Sequence, residues 1–321
     1  ILVSETYLRR GVVPEQSYSN FESASVQMLT ITGKTNLVGL LGQPVNHSLS
    51  PIMHNAAYKE MGLDWCYLAM PCDKSNLHKI TTALRLVNCK GLNVTIPHKQ
   101  EVLKACKNLT KVANDIKAVN TLIPESNNQW IGANTDVDGF LKPLKTHTLI
   151  NKNVVVLGCG GSARAVVMGL NNLNIKQVRI IGRNESSLDI FVKSMRNLLK
   201  KNISIKGINN QKSNVSPYIE EADLIINTTP IGMNSKIIKQ ENIPLGKEIW
   251  DCLSSKTILY DLIYTPRPTN WLKLGQQKNC FTIDGLDMLV EQGALSIKLW
   301  SGFNSVPTQR MKSSAKKHLM I

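Results

Sequence analysis

A glycine-rich turn that joins a predicted strand to a predicted helix carries the clearest chemical signal in the sequence. Residues 154–157 are apolar and lead into a G-x-G-x-x-A pattern made of Gly158, Cys159, Gly160, Gly161, Ser162 and Ala163. In such a turn the first glycine permits the bend, the second lets a pyrophosphate approach the backbone, and the alanine lets helix and strand pack closely. A second apolar strand follows at residues 178–181, as a dinucleotide-binding unit requires. The pattern therefore predicts a dinucleotide site.

The residues that end this second strand indicate which dinucleotide binds. An NAD site places an acidic residue about 20 positions past the glycines, where it holds the ribose hydroxyls. This chain has Gly182, Arg183 and Asn184 there instead. A guanidinium can pair with a 2′-phosphate through two hydrogen bonds, so the sequence favours NADP over NAD. An ordinary surface charge is the other interpretation of Arg183.

Polar side chains also mark the end of an earlier predicted strand. Residues 91–96 alternate apolar side chains with Asn93 and Thr95, so both polar groups share one face near the carboxyl end of the strand. Ligands bind at that end of open α/β sheets. Ser50 and Pro51 predict the N-cap and first residue of a helix that ends near residue 61, and its N-terminus can hold an anion.

Strands and helices alternate along the chain, which predicts an α/β fold with a mostly parallel sheet in each half. The first half contains strands 37–42, 65–70 and 91–96, helices 51–61, 75–87 and 98–106, and a hairpin of residues 119–123 and 129–132. The second half contains strands 154–157, 178–182, 203–208, 224–227, 258–262 and 280–283. Six such strands fit a doubly wound Rossmann sheet. A last helix, which ends near residue 302, is expected to return to the first domain.

The composition is that of an ordinary globular protein: 321 residues, 42% hydrophobic and 19% charged. No apolar run approaches the roughly 20 residues of a membrane span, and the first residues lack a secretory pattern, so we expect a cytoplasmic protein with no membrane partner. Seven cysteines without a C-x-x-C pair indicate reduced thiols. His47, His54 and His98 lack metal-ligand spacing, so we expect no metal and assign them helix-surface or capping roles.

The net charge of +15 allows two interpretations, a nucleic-acid surface or the attraction of small anions. The densest basic cluster is Arg310, Lys312, Lys316 and Lys317, which has no interleaved aromatic residues. We therefore expect a solvated basic face, no nucleic-acid partner, and a small-molecule substrate bound by a monomer or homodimer.

At several motifs the chain resembles the shikimate dehydrogenases, over about residues 37–310. These motifs are the glycine turn and residues 48–51, 93–99, 118–121, 134–136, 227–232, 261–266 and 285–292. The resemblance implies an enzyme that reduces 3-dehydroshikimate to shikimate with NADP, in aromatic amino-acid biosynthesis. It also implies a substrate-binding domain of residues 37–135 and 286–321 and an NADP-binding Rossmann domain of residues 136–285. Residues 1–36 form a leader of unknown role.

The resemblance assigns a role to individual residues. Substrate-binding residues are Ser48, Ser50 and Tyr264 at the carboxylate, and Asn93, Thr95, Asn120 and Gln292 around the ring hydroxyls. Lys99 and Asp136 are the expected proton-transfer pair, since a carbonyl that accepts a hydride must also gain a proton. Cofactor-binding residues are the turn 158–163 at the pyrophosphate, Arg183 and Asn184 at the 2′-phosphate, and Thr228, Leu262 and Gly285 along the path to the nicotinamide.

One departure from the family pattern concerns the 2′-phosphate. The family often has Asn-Arg-Thr followed three residues later by a second arginine, whereas this chain has Gly182, Arg183, Asn184 and then Ser187. With one guanidinium fewer, the preference for NADP is expected to be weaker unless Arg164 compensates. An NAD-using quinate/shikimate dehydrogenase is the nearest alternative. A non-catalytic nucleotide-sensing or nucleic-acid-binding protein is a further one, against which the intact Lys99 and Asp136 argue.

Overall fold

Two six-stranded sheets organise the protein, whose computed structural model describes residues 31–233 and 243–320. Residues 34–321 form one compact unit. Most of the predicted leader, residues 1–30, lies outside the described residues. The strands of the first sheet are β1 (Asn36–Gly42), β2 (Trp65–Pro71), β3 (Gly91–Val94), β4 (Asn108–Leu109), β5 (Thr121–Glu125) and β6 (Gln129–Ala133). Their spatial order is β2-β1-β3-β5-β6-β4.

Parallel pairs predominate in this first sheet. Strand β1 pairs in parallel with β2 and β3, and β4 pairs in parallel with β6, whereas β5 is antiparallel to both of its neighbours. The helices of this half are α1 (Ser50–Glu60), α2 (Leu77–Leu86) and α3 (Lys111–Ile116). The predicted mostly parallel sheet and its hairpin are confirmed.

The predicted helix over residues 98–106 is wrong. Only a short 3₁₀ helix, Glu101–Ala105, forms there. The backbone of this stretch is drawn into tertiary contacts instead, because Val119 N–H donates to the Lys99 carbonyl at 2.7 Å and the chain must rejoin the sheet at β4. Lys99 consequently lies in a fixed turn after β3, not on a helix.

The second sheet contains β7 (Asn153–Leu157), β8 (Gln177–Gly182), β9 (Ser204–Asn209), β10 (Leu224–Asn227), β11 (Ile258–Asp261) and β12 (Phe281–Ile283). All its pairs are parallel, in the order β12-β11-β10-β7-β8-β9. Its helices are α5 (Gly161–Asn171), α6 (Glu185–Arg196), α7 (Ser216–Glu220) and α8 (Asn270–Gln277), and α4 (Asp136–Leu141) precedes it. The doubly wound sheet is confirmed, with its switch point between β7 and β10, where such folds bind ligands.

The core of the second sheet explains the uninterrupted apolar strands read from the sequence. In β7, Val154 and Val156 pack with the α5 side of the sheet, whereas Val155 and Leu157 pack with the α8 side. Strands buried on both faces lose the polar alternation of half-exposed strands. Ala163, as predicted for the glycine turn, is fully buried against this core.

The chain returns to the first sheet through α9 (Leu286–Ser301) and α10 (Thr308–Leu319). Val290, Ile297 and Met311 join a core cluster with Met53 and Tyr58 of α1. The return is as predicted, but α10 itself was missed. Helix α10 buries only Met311 and Ala315 and carries several basic residues. It therefore has too few apolar residues at helical spacing for a helix to be predicted from the sequence.

A close contact fixes α4 against α9. A Cβ added at Gly139 would lie 2.9 Å from the Met288 carbonyl oxygen, so glycine is required where the two helices touch. Asp136 begins α4 and Gln292 lies on α9, and this contact brings both to one place.

Within the described ranges, no helix is long and apolar enough to cross a membrane. Over the same residues, no group of three or more His, Cys, Asp or Glu side chains is placed to hold a metal ion.

Candidate active site

Lys99 and Asp136 form an ion pair in a cleft that both sheets line. Lys99 Nζ lies 2.7 Å from Asp136 Oδ2, and the two side chains are 13% and 6% exposed. Asp136 Oδ1 accepts a second hydrogen bond from Asn120 Nδ2 at 2.8 Å. The carboxylate is therefore held from two sides and fixes the direction of the ammonium group. The structure brings together the pair expected to transfer a proton.

The glycine turn of the second sheet lies directly beside this lysine. Ser162 Oγ is 3.5 Å from Lys99 Nζ, and a Cβ added at Gly161 would lie 3.2 Å from Lys99 Cβ. Lys99 thus stands between the polar end of the first sheet and the predicted nucleotide turn. A group that must act on a substrate beside a bound dinucleotide needs this position.

Two serines and a tyrosine converge where α1 begins. Ser48 Oγ accepts the Ser50 backbone N–H at 3.2 Å, and the Tyr264 phenol hydrogen-bonds with the Ser48 side chain and the Leu49 backbone. Burial raises the pKa of Tyr264, while these hydrogen bonds act in the opposite direction. The phenol is therefore a neutral donor at physiological pH. Hydroxyl donors at a helix N-terminus form a suitable site for a carboxylate.

The prediction that Ser50 caps α1 is wrong by one residue. Leu49 occupies the cap position, and Ser50 is the first helical residue and is 5% exposed. The Ser48 hydroxyl satisfies the Ser50 N–H instead, so Ser50 needs no side-chain cap of its own. The Ser50 hydroxyl is hydrogen-bonded to the Tyr67 phenol.

Asn93 and Asn120 are held by a buried polar network at the carboxyl end of β3. Tyr67 Oη donates to Asn93 Oδ1 at 2.8 Å, and Asn93 Nδ2 donates to Ser296 Oγ at 2.9 Å. Asn120 Oδ1 accepts the Thr135 backbone N–H at 2.8 Å. These bonds orient both side-chain amides toward the cleft that they line.

Sequence reasoning missed the residues that orient these amides. They are Tyr67, Thr121, Thr135 and Ser296. Ser296 lies one helical turn after Gln292, so helical spacing was a signal that could have identified it. Tyr67 lies inside β2, and nothing in a single sequence distinguishes it from a core tyrosine.

Thr95 and Gln292 complete the polar wall of the cleft. Thr95 lies just past β3, where its backbone N–H donates to the Leu41 carbonyl at 2.9 Å. Gln292 Oε1 lies 3.4 Å from Asn120 Nδ2, and Gln292 Nε2 donates to the Leu289 carbonyl at 2.9 Å. Every residue that the resemblance assigned to the substrate lines this one cleft.

The glycine turn has the backbone features of a nucleotide cradle. Gly158 has a φ of +99°, which favours glycine, and a Cβ there would lie 2.9 Å from Thr228 Oγ1. A Cβ at Gly160 would meet no atom within 4 Å. Open space over the second glycine, at the start of α5, is what a pyrophosphate needs in order to reach the backbone N–H groups. The donor set fits the phosphates of a dinucleotide.

The path from this turn into the cleft follows the residues predicted for it. Thr228, Leu262 and Gly285 line the same cleft as Lys99. Thr228 Oγ1 donates to the Leu157 carbonyl at 2.6 Å, which ties β10 to the end of β7. A Cβ at Gly285 would lie 2.1 Å from the Leu262 carbonyl oxygen, so only glycine allows these two segments to approach each other.

Two family models match separate segments of the chain, and related proteins align with most of its length. The model of the shikimate dehydrogenase substrate binding domain matches residues 40–122, and that of the shikimate 5′-dehydrogenase C-terminal domain matches residues 285–316. A shikimate dehydrogenase (NADP(+)) from Prochlorococcus marinus strain MIT 9312 is 47% identical over 289 residues, which cover 90% of this chain and 100% of the relative. The chain belongs to the shikimate dehydrogenase family.

Solved structures of the family share this fold. A shikimate dehydrogenase in complex with NADP+ is 34% identical with a TM-score of 0.79, covering 90% of this chain and 98% of that one. The Listeria monocytogenes shikimate 5-dehydrogenase in complex with shikimate and NAD is 29% identical with a TM-score of 0.76, covering 88% of this chain and 97% of that one.

A groove separate from the cleft lies beside the carboxyl end of β8. Arg183 and Asn184 line it and are exposed. Asn184 is the N-cap of α6, because its Oδ1 accepts the Ser187 backbone N–H at 2.8 Å. The side-chain oxygen of Asn184 is therefore engaged by the helix, whereas Arg183 is an exposed cation of the groove.

Arg164 does not replace the missing family arginine. It is 7% exposed, donates to the Ile116 carbonyl at 3.2 Å, and lies 5.5 Å from the centre of the Phe191 ring. These contacts hold it under α5, inside the core. Burial raises the pKa of the Cys159 thiol in the glycine turn, which reduces its reactivity.

The surface or capping roles predicted for the histidines are wrong for two of them. His54 and His98 are completely buried. His54 stacks on Tyr67 with ring centres 4.0 Å apart and donates from Nδ1 to the Ser50 carbonyl, and burial lowers its pKa to about 4. His98 Nε2 donates to the Cys72 carbonyl at 2.6 Å. Both are polar core residues that support the cleft from behind, while His47 lines it.

A buried aspartate joins the two loops of the family motifs near residues 227 and 261. Asp261 accepts hydrogen bonds from Asn227 Nδ2 at 3.0 Å, from the Ile263 backbone N–H at 3.1 Å and from Thr269 Oγ1 at 2.8 Å. Burial raises its pKa to about 7, although these donors act in the opposite direction. Asp261 thus positions the strand ends that carry Thr228 and Leu262.

We expect the free energy of unfolding to fall as pH rises toward 7 because of Asp261. Its pKa is about 7 in the folded state and 3.8 ordinarily, so its stabilising contribution is complete below 3.8 and is lost as pH rises through about 7. Asp261→Asn keeps the neutral shape and removes this dependence. Between pH 5 and 8, urea denaturation should show wild type losing on the order of 2 kcal/mol relative to the variant. Parallel pH profiles would contradict the assignment.

Proposed function

We propose that this protein is an NADP-dependent shikimate dehydrogenase, which reversibly reduces 3-dehydroshikimate to shikimate in aromatic amino-acid biosynthesis. The observation that carries the proposal is the position of the Lys99–Asp136 ion pair. The pair shares one cleft with Ser48 and Ser50 at the start of α1 and with Ser162 of the glycine turn. A carboxylate site, a proton-transfer pair and a nucleotide turn in one cleft are what this reaction requires. Relatives that cover 90% of this chain are named for the same activity.

The two sheets support the proposed domain roles. Residues 37–135 and 286–321, which hold the first sheet with α9 and α10, form the substrate-binding domain. Residues 136–285, which hold the second sheet, form the NADP-binding domain. The cleft takes side chains from both, so substrate and nucleotide meet where the chain passes from one to the other.

The substrate is held at its two ends. Ser48, Ser50 and Tyr264 donate hydrogen bonds to its carboxylate, which the N-terminus of α1 also favours. Around the ring hydroxyls stand Asn93, Thr95, Asn120 and Gln292, with Asp136 as an acceptor. Amides that are already oriented by buried partners hold these hydroxyls without further ordering, which preserves the position of the reacting carbon.

Lys99 moves the proton. Bound NADPH supplies the hydride to the carbonyl carbon, and Lys99 donates a proton from Nζ to the carbonyl oxygen as it becomes an alcohol oxygen. In the reverse direction, the neutral amine takes the proton from the substrate hydroxyl. Asp136 stabilises the ammonium form through its 2.7 Å contact and keeps Nζ aimed into the cleft.

The nucleotide is held by residues of the second sheet. Gly158 to Ala163, with Cys159 and Ser162 among them, surround the pyrophosphate at the start of α5. Arg183 and Asn184 take the 2′-phosphate, and Thr228, Leu262 and Gly285 line the path of the nicotinamide. A cytoplasmic location, the absence of a nucleic-acid partner, and a monomeric or homodimeric state stay predictions from the sequence.

The function is tested by giving the purified protein 3-dehydroshikimate with NADPH. We expect nucleotide oxidation that requires the substrate, and a product that co-elutes with authentic shikimate in chromatography. Absence of shikimate under these conditions, from a protein shown by circular dichroism to be folded, would refute the proposed activity.

Removing the two serine hydroxyls is expected to weaken substrate binding more than catalysis. The double variant Ser48→Ala/Ser50→Ala should raise KM for shikimate by roughly 10²-fold or more, since two hydrogen bonds to a charged group are lost while Tyr264 and the helix N-terminus remain. Initial rates over a range of shikimate concentrations measure this. Ser301→Ala, on the far end of α9, is the matched control, and an unchanged KM in the double variant would place the carboxylate elsewhere.

A further inference from the structure

The groove beside β8 contains a second cation that no family motif predicts. Lys212 lines it together with Arg183, Glu185 and Asp189. Lys212 lies in the loop after β9. This loop is distant in sequence from residues 182–184, where the family often has Asn-Arg-Thr.

Backbone hydrogen bonds hold this loop beside Arg183. Asn209, the last residue of β9, is in register with Gly182, and Asn210 N–H donates to the Gly182 carbonyl at 3.2 Å. The loop then turns back on itself, with Lys212 N–H donating to the Asn209 carbonyl at 3.2 Å. The residue before Arg183 and the turn that carries Lys212 therefore form one hydrogen-bonded unit.

The charges in the groove show why a second cation matters. A phosphate monoester carries close to two negative charges at neutral pH. Among the described residues that line the groove, Arg183 would otherwise be the one cation facing the two carboxylates of Glu185 and Asp189. That balance repels a dianion. With Lys212 included, the groove contains two cations and two carboxylates.

Lys212 is free to change its partner. Its Nζ contacts Glu185 Oε2, and the two side chains are 66% and 56% exposed. Exposed ion pairs of this kind are weak and exchange readily. In the absence of a phosphate, Lys212 neutralises the Glu185 carboxylate, and a phosphate offers the same ammonium group a doubly charged partner.

We propose that Lys212 is a specificity-determining residue, which transfers its contact from Glu185 to the 2′-phosphate of the nucleotide and completes a two-cation site with Arg183. The inference rests on the proposed NADP-dependent function. It assigns to a lysine of a different loop the task that a second arginine often performs in the family.

Isothermal titration calorimetry with 2′,5′-ADP and 5′-AMP tests this without turnover. Lys212→Gln should weaken 2′,5′-ADP binding by roughly 5- to 20-fold and leave 5′-AMP binding unchanged, because one charged hydrogen bond is lost at an exposed site. Glu185→Gln should strengthen 2′,5′-ADP binding several-fold, since it releases Lys212 and removes a carboxylate. Lys206→Gln, an exposed lysine on β9 outside the groove, is the control and should change neither.

The outcomes separate this inference from the proposed function. Equal affinity of Lys212→Gln and wild type for 2′,5′-ADP would overturn it, as would equal weakening of both nucleotides or a wild type that does not prefer 2′,5′-ADP. A protein that shows the predicted binding pattern but does not reduce 3-dehydroshikimate would refute the dehydrogenase activity and leave the two-cation site supported.

Discussion

Replacing Lys99 by alanine is expected to lower kcat for shikimate oxidation by roughly 10²- to 10⁴-fold, the range for loss of a positioned acid or base, with a smaller change in KM. The reason is that Lys99 is the titratable donor next to both the polar wall of the cleft and the glycine turn. Initial rates at saturating shikimate and NADP+ measure kcat directly. A variant that retains wild-type kcat would exclude the proton-transfer role.

Lys104→Ala is the matched control for this experiment. Lys104 is on the same connecting segment, but its side chain is 77% exposed and pairs with Glu101 at the surface. We expect unchanged kinetics. Because Lys99→Ala leaves the buried Asp136 carboxylate without its cation, thermal unfolding of each variant must show that the assay temperature is well below the transition.

A double variant tests whether the pair acts as one unit. Asp136→Ala combined with Lys99→Ala should lower kcat little further than the poorer single variant, since residues that act together are not additive. Fully additive losses would show that both residues matter but act independently. The 2.7 Å contact between Lys99 Nζ and Asp136 Oδ2 favours the first outcome.

Replacing Arg183 by alanine is expected to weaken NADP binding by roughly 10- to 150-fold and to spare NAD. Arg183 lines the groove at the carboxyl end of β8, where it can form paired hydrogen bonds with a 2′-phosphate. The KM values for NADP+ and NAD+, determined at saturating shikimate, provide the comparison.

Arg310→Ala serves as the control, because Arg310 is also exposed but lies on α10, in the other half of the fold. It should alter neither KM. Equal weakening of NADP+ and NAD+ binding by Arg183→Ala would mean that the guanidinium contacts a part common to both nucleotides, and the assignment to the 2′-phosphate would be wrong.

The strands were predictable because local patterns determine them. Residues 154–157 and 224–226 are apolar without interruption, as expected of strands covered on both faces, and the glycine turn fixes where α5 begins. Residues 98–106 show the limit of this reasoning. Their apolar spacing suits a helix, but hydrogen bonds with residues distant in sequence select a turn and a short 3₁₀ helix instead.

The site was partly predictable for a similar reason. Motif positions such as Ser48, Lys99 and Asp136 carry chemistry that a sequence displays, and the structure places them in one cleft. The roles of Tyr67 and Lys212 were not predictable, because each role depends on a neighbour that is distant in sequence and close only in the folded protein. Tyr67 looks like a core residue and Lys212 like a surface charge until Asn93 and Arg183 are seen beside them. The exact domain limits stay a prediction.

The alternatives left open by the sequence are not favoured. Relatives that align with 90% of the chain are named NADP(+)-dependent shikimate dehydrogenases, which supports neither an NAD-using quinate/shikimate dehydrogenase nor a non-catalytic protein. Of the basic cluster on α10, Arg310 and Lys317 are exposed and Lys316 is partly exposed, whereas Lys312 is partly buried and pairs with Asp287.

Steady-state kinetics with shikimate and quinate, each combined with NADP+ and NAD+, test the central claim most directly. The proposed function and the two cations beside β8 predict that shikimate with NADP+ has the highest kcat/KM of the four combinations. A higher kcat/KM for quinate with NAD+, or no turnover in any combination, would contradict the assignment.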